Sequence, residues 1–313
     1  TGRAPSARII LGLSTPPSPS LVSPSSCLWC SHIPLHIGMA RTHLKASVVI
    51  PTWNRPESYA ELRRSLDAQT EQNFETITLT ERGELARLRN VGLSRARAPV
   101  VCFIDDDTVC PPTWLAGVLG AFVALDVVGV TGPAVIPELY RQHRDLFKYR
   151  HLKHLHDLLF VDHSDLPGHL TSAGTFTTAA AEATCTYEGE VDYLEACNMA
   201  FRTEALNAVG GFDESFRGIG DWSEPDAAIR VRCYTSGKLW FTPKVLLLHQ
   251  PSPAGATVYR WQNARQRLAN YRLFRRRYIR PSLRNGLYQL FLTTYYATNM
   301  VKGWRSLLPK PIA

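Results

Sequence analysis

Three carboxylates in a row, Asp105-Asp106-Asp107, close the apolar run Val100-Val101-Cys102-Phe103-Ile104. Like charges this close repel, and the arrangement is tolerable only where water or a cation screens it. Hard divalent ions such as Mg²⁺ take oxygen ligands and leave positions open for substrate phosphates, so the chemistry suggested first is binding of a nucleotide diphosphate. A second acidic cluster follows at Gly220-Asp221-Trp222-Ser223-Glu224-Pro225-Asp226, at the start of an expected helix that ends near Gly237. Ser223 and Asp226 fit a capping box, which explains Asp226 without chemistry. Pro225 biases Glu224 away from helical backbone angles, and the positive end of the helix dipole favours its ionised form. An ionised carboxylate at the lip of a cleft can serve as a general base. The plainer alternative is a carboxylate that only stabilises a helix start. His249 closes the run Val245-Leu246-Leu247-Leu248, and a metal held by a carboxylate and a diphosphate has room for an imidazole.

The elements that must position these groups alternate. Ser47-Val48-Val49-Ile50-Pro51 reads as a buried strand, closed by the turn-prone Thr52-Trp53-Asn54-Arg55-Pro56. Tyr59, Leu62 and Leu66 recur at helical spacing after Pro56, a good first-turn residue. Phe74 to Thr80 reads as a second strand, Glu84 to Ala96 as a helix, Pro99 to Ile104 as a third strand and Pro112 to Leu125 as another helix. This rhythm predicts a mainly parallel α/β sheet with crossover helices, whose ligands bind beyond the carboxyl ends of the strands. Residues 136–190, rich in His and Tyr (His143, His151, His154, His156, His163), lack regular ligand spacing, and surface and core roles are expected of them. Order returns at Val191 to Arg202, then a helix from Thr203 to Val209. Gly210-Gly211 marks its stop.

The charge is uneven. Of 35 Lys and Arg, twelve lie in residues 251–313, which contain no Asp or Glu, whereas residues 1–250 carry 23 cations against 27 anions. The tail predicts two helical stretches, Val258 to Arg280 and Leu287 to Val301, the second shorter than the roughly 20 residues of a spanning helix. Aromatic residues mixed with Arg suit an anionic membrane surface; a helix packed on the rest of the chain is the alternative. Nucleic acid is not an expected partner, because no recognised nucleic-acid motif accompanies the Arg residues. Seven irregularly spaced cysteines do not read as a disulfide framework, and a cytoplasmic location, peripheral on the inner membrane face, is expected. Residues 1–44 read as a disordered or non-native extension, within which Pro/Ser-rich residues 1–38 precede a natural start expected at Met39.

The motifs Val48-Val49-Ile50-Pro51-Thr52-Trp53-Asn54-Arg55, Arg89-Asn90-Val91-Gly92, Phe103-Ile104-Asp105-Asp106-Asp107, Asn198-Met199-Ala200-Phe201-Arg202, Gly210-Gly211-Phe212-Asp213-Glu214 and Trp222-Ser223-Glu224-Pro225-Asp226 occur in one order over residues 45–250. In that order the chain resembles the family 2 glycosyltransferases of the GT-A fold. The resemblance implies a catalytic domain over 45–250, with a nucleotide-sugar half (45–135) and an acceptor half (136–250), followed by a basic helical tail (251–313). It implies inverting transfer of a sugar from a nucleotide-diphosphate donor to an acceptor hydroxyl, in cell-surface polysaccharide or glycolipid synthesis, with Mg²⁺ or Mn²⁺ as cofactor and an acceptor carried on a lipid. Asp105 is implied to contact the ribose, Asp107 to bind the metal with His249, and Glu224 to be the catalytic base. Pro51, Thr52, Asn54, Arg55, Arg89 and Asp106 fall in the donor site. Glu81, in the short turn Thr80-Glu81-Arg82-Gly83, replaces the family's usual Asp-rich base contact. Asn198, Trp222, Asp226 and Arg230 are implied to serve the acceptor side or to support it. A Mg²⁺-dependent nucleotidyl or phosphoryl transferase, and an inactive sugar- or lipid-binding module of the same fold, are the competing readings.

Overall fold

The computed structural model describes residues 44–137, 155–156, 158–160, 166–177, 184–251 and 263–306. The N-terminal extension, Tyr259 to Trp261 and most of the His-rich segment lie outside them. In chain order the elements are β1 (Ala46–Pro51), α1 (Pro56–Asp67), β2 (Phe74–Leu79), α2 (Leu85–Arg95), β3 (Val100–Ile104), β4 (Thr108–Val109), α3 (Trp114–Ala121), β5 (Val127–Thr131), β6 (Ala134–Val135), β7 (Gly189–Glu190), β8 (Asn198–Arg202), α4 (Thr203–Ala208), α5 (Ser223–Thr235), β9 (Lys238–Phe241), β10 (Leu247–His249), α6 (Ala264–Tyr278) and α7 (Leu283–Ser306).

Seven strands form the main sheet in the order β2-β1-β3-β8-β5-β9-β7. The pairs β1/β2, β1/β3 and β5/β9 are parallel, whereas β8 runs antiparallel to both its neighbours and β7 runs antiparallel to β9. Five of the seven strands therefore share one direction, and the sheet is mainly parallel, as the alternation predicts, with β8 and β7 the antiparallel members. Period-two side-chain alternation explains why the central strands read as continuous apolar runs. Val49, Val101 and Phe103 face a core with Leu88, Phe201, Leu206, Phe212 and Ala228. Val48, Ile50, Val100, Cys102 and Ile104 face the other, with Leu62, Leu66, Trp114 and Leu115. Gly92 lets α2 lie directly on β1, since a Cβ there would run into the Val49 side chain.

A smaller sheet, β4-β10-β6, sits at the site. β4 follows the Asp run immediately, and its antiparallel register sets His249 opposite Thr108. The backbone N–H of Gln250 donates to the Asp107 carbonyl at 2.8 Å. A two-residue strand thus carries the third carboxylate to an imidazole 142 positions later in the chain.

The 166–177 loop is tied down by Asp192. Its carboxylate accepts from the Leu170 N–H at 3.0 Å and from Arg232 at 3.0 Å, and faces His169 Nδ1 at 3.4 Å. Burial works to raise the Asp192 pKa, but these donors outweigh it and hold the carboxyl at about 2. A folded-state value below the unfolded one, near 4, contributes stability that is complete above about pH 4 and disappears as pH falls through about 2. Asp192→Asn is expected to remove about 2 kcal/mol at neutral pH. Urea unfolding at pH 7 and pH 3 checks this, the variant losing less stability than the parent between the two.

Candidate active site

β1 and β3 are parallel neighbours with Val49 opposite Phe103, so the turns beyond them meet. Asn54 takes a left-handed conformation (φ 52°), in which Asn is among the better-tolerated residues. The turn brings Arg55 back over the acidic run. Its guanidinium reaches Asp106 at 2.6 Å and Asp107 at 2.9 Å. Arg55 is therefore the protein's own cation at the strand end, where the sequence called for screening. Asp106 is fully buried, and burial raises its pKa to about 6 despite Thr52 and Arg55. Its position under the other two carboxylates is that of a support for Arg55.

Asp107 also faces His249, with Nε2 3.2 Å from Oδ1. Asp105, Asp107 and His249 can present one ligand atom each, all within 4.8 Å of one another, and no second such group of three occurs among the described residues. Two carboxylates and one imidazole suit a hard or borderline divalent ion, so the donor set fits Mg²⁺ or Mn²⁺. Asp105 joins this cluster in addition to its expected ribose contact. Burial, reinforced by Asp107, raises the Asp105 pKa, while His249, Arg89 and Arg55 pull it down. Burial opposes a charge on His249, but Cys197 and Asp107 outweigh that and raise it to about 11. The imidazole must release this proton before it can ligate a metal. Cys197, buried beside His249, is a site neighbour that sequence reasoning missed, since nothing in a lone cysteine before β8 points to it.

The second half of the site differs from expectation in its details. Glu224 lies inside α5 and is only 5% exposed, not at an open cleft lip. Ser223 and Asp226 do not form a capping box: Trp222 is the N-cap, left-handed at φ 77°, and no side chain caps the helix. The left-handed turn at Trp222, rather than a cap, directs the first helical turn inward. Glu224 is bonded to Arg89, which is 1% exposed, donates also to the Ala196 carbonyl at 3.3 Å and lies over the Phe212 ring at 5.4 Å. Burial raises the Glu224 pKa, and Arg89 opposes the rise. Arg89 acts electrostatically on Asp105 as well, so it links the acidic run to the helix start. Expected among the donor contacts, it is buried between the two carboxylate groups instead.

Asp226 is fully buried and accepts from Arg230 at 2.8 Å, Arg277 at 2.7 Å and the Tyr278 hydroxyl at 2.7 Å. Arg230 also donates to the Val209 and Gly211 carbonyls, both at 2.7 Å, bracing the Gly210-Gly211 turn. Asn198 is saturated inside the protein, accepting from Trp114 Nε1 at 3.0 Å and donating to the Val245 and Gly132 carbonyls. These three residues support the site. Trp222 packs between Phe176, Tyr271 and Phe274, with ring centroids 5.0 to 5.1 Å away. Pro51 ends β1, Thr52 and Asn54 lie in the turn that leads to Arg55, and Glu81 is exposed beyond the end of β2.

The sequence profile of "Glycosyl transferase family 2" matches residues 68–170, about a third of the chain. No curated protein sequence matches. Among solved structures, that of GalNAc-T7 with UDP, GalNAc and Mn²⁺ superposes with a TM-score of 0.51 at 14% identity, over 75% of this chain and 48% of that one. The chain thus spans about half the length of that relative. The mannosyltransferase PcManGT of Pyrobaculum calidifontis, in complex with GDP-Man and Mn²⁺, gives 0.49 at 15% identity over 85% and 81% of the two chains. S. aureus TarS gives 0.43 at 15% identity over 72% and 39%. The profile match makes residues 68–170 similar to the family 2 glycosyltransferases, and the sheet topology agrees with a fold of the GT-A type.

Proposed function

We propose that the protein transfers a sugar, with inversion, from a nucleotide-diphosphate donor to an acceptor hydroxyl. The observation that carries this reading is the meeting of Asp105 and Asp107, from the acidic run, with His249, from β10, in a cluster fit for a divalent ion. Mg²⁺ or Mn²⁺ held there would supply Lewis-acid neutralisation of the diphosphate leaving group. In this reading Asp105 would meet the ribose, and Arg55, beside Asp107, would donate to a phosphate oxygen as a fork-shaped cation. Glu224 would take the acceptor's proton as its oxygen attacks the anomeric carbon from the face opposite the nucleotide. A carboxylate whose pKa is lifted by burial is a better proton acceptor near neutral pH than an exposed one. Arg89 would hold it in place between turnovers.

The acceptor side would be bounded by Trp222 and the aromatic rings around it, one residue before the helix that carries Glu224. An acceptor presented on a lipid, at an anionic membrane face and in the service of cell-surface glycan or glycolipid synthesis, fits the basic C-terminal helices. The two-metal alternative for phosphoryl or nucleotidyl transfer is disfavoured, because a second metal-binding carboxylate group is missing among the described residues.

The test is thermal unfolding with a panel of sugar nucleotides, with and without Mn²⁺. One donor is expected to stabilise the protein only when the metal is present, by about 2.7 kcal/mol at a hundredfold excess over Kd. The nucleotide that does so identifies the donor class. No stabilisation by any of them would refute the reading.

A further inference from the structure

α6 and α7 form a helical hairpin whose two faces differ in chemistry. The inward face is spent on the catalytic domain. Tyr271, Tyr288 and Leu292 pack with Phe160 and Ala173, Phe274 packs with Phe216 and Ile229, and Arg267 pairs with Asp221 at 3.0 Å. Arg277 bridges Asp213 and Asp226, both at 2.7 Å, and Arg275 bonds Asn285. Half the arginine of the tail's first helix is thus committed internally, as the packed-helix alternative predicts.

The outward face is not. Leu283, Leu287 and Leu290 recur at i, i+4 and i+7, one stripe along α7, and they are 82%, 50% and 64% exposed. Arg284 Nε donates to the Leu159 carbonyl at 2.9 Å, which brings the exposed Leu159 to the first turn of α7. The hairpin turn adds Arg276 and Arg280, both exposed and without an ion pair among the described residues. Contiguous exposed leucine marks an interaction site rather than ordinary surface. The surrounding charge selects the partner. With no Asp or Glu in residues 251–313 and Arg276 and Arg280 exposed beside the stripe, a partner that is anionic at its rim and apolar beneath fits the leucines. An anionic bilayer has that profile: phosphates at the surface, acyl chains a few ångströms below.

We infer that the α6–α7 hairpin tip is a membrane-docking surface, on which Leu283, Leu287 and Leu290 enter the headgroup–acyl boundary while Arg276 and Arg280 hold lipid phosphates. This goes beyond the transferase reading and does not depend on it, because vesicle binding needs neither donor nor acceptor.

The experiment is flotation of the full chain with phosphatidylcholine vesicles, with and without phosphatidylglycerol, and no sugar nucleotide. The parent is expected to float with the anionic vesicles only. Arg276→Ala with Arg280→Ala should weaken that partition roughly 30-fold, and Leu283→Glu with Leu287→Glu should weaken it a hundredfold or more, roughly. All four side chains are exposed, so thermal unfolding and donor binding should stay unchanged in both variants. A parent that fails to float, or a leucine variant that floats like the parent, overturns the proposal. So does sedimentation showing that the leucine substitutions split a dimer, which would assign the stripe to a second copy of this chain.

Discussion

Glu224→Gln is expected to lower turnover roughly 10²- to 10⁴-fold while leaving Mn²⁺-dependent donor binding within about twofold of the parent. The size follows from what general-base catalysis contributes when a positioned carboxylate takes the acceptor's proton. Glutamine keeps a carbonyl oxygen for Arg89 but cannot accept a proton, so the substitution separates chemistry from architecture. The separation matters because the structure gives Glu224 an evident structural partner. Removing the charge leaves the Arg89 guanidinium, 1% exposed, without its counter-charge, so some stability is expected to be lost in any case; were the carboxylate only that counter-charge, turnover by the folded variant would stay near the parent's. Were the domain an inactive binding module, Glu224→Gln would change neither turnover nor binding. Single-turnover assays beside donor titrations distinguish the three outcomes.

The largest expected effect on stability is at Asp226. Its fully buried carboxylate is shared by Arg230, Arg277 and Tyr278, from α5 itself and from α6. Removing one partner of a buried charge cluster leaves the others uncompensated, which costs about 3 to 5 kcal/mol. Asp226→Ala should therefore lose about that much in urea unfolding. Arg277→Ala should lose less, because Arg230 still neutralises Asp226 and Arg277 is partly open to water. Activity should fall in both, since the helix they brace begins three residues earlier with Ser223 and Glu224. It also follows that deleting the basic tail is a poor probe of membrane binding. The deletion removes Arg277, Tyr278, Tyr271 and Phe274 from the support of α5, so the point substitutions at the hairpin tip are the informative ones.

How much of this was legible depends on how far apart the interacting residues lie. β1 and β3 were readable because buried parallel strands are continuous apolar runs, and the acidic run was readable because three adjacent charges need no partner to be noticed. Arg55 was legible as part of the turn after β1, and its hold on Asp106 and Asp107 follows from the left-handed turn at Asn54. The antiparallel insertion of β8 could not be read, since Asn198 to Arg202 is as apolar as a parallel strand and direction leaves no mark on composition. Arg89 entered the donor set only through its motif, because local pattern cannot show that its partner, Glu224, lies buried 135 residues later. The same distance hid two of the three partners of Asp226: its spacing to Ser223 imitates a capping box and Arg230 is near in sequence, but Arg277 and Tyr278 lie in α6. At Trp222, no residue type announces a left-handed N-cap, and a bulky aromatic argues against one. The tail misled in proportion, since arginines that pair internally and arginines that face water look alike in sequence.

The most direct test of the central claim, that Asp105, Asp107 and His249 form a metal-dependent donor site, is the sugar-nucleotide titration repeated on Asp107→Asn. The predicted result is that the donor which stabilises the parent in Mn²⁺ no longer does so in the variant, whose own unfolding midpoint stays near that of the metal-free parent. Equal donor binding by parent and variant, or binding by the parent that is indifferent to Mn²⁺, would contradict it.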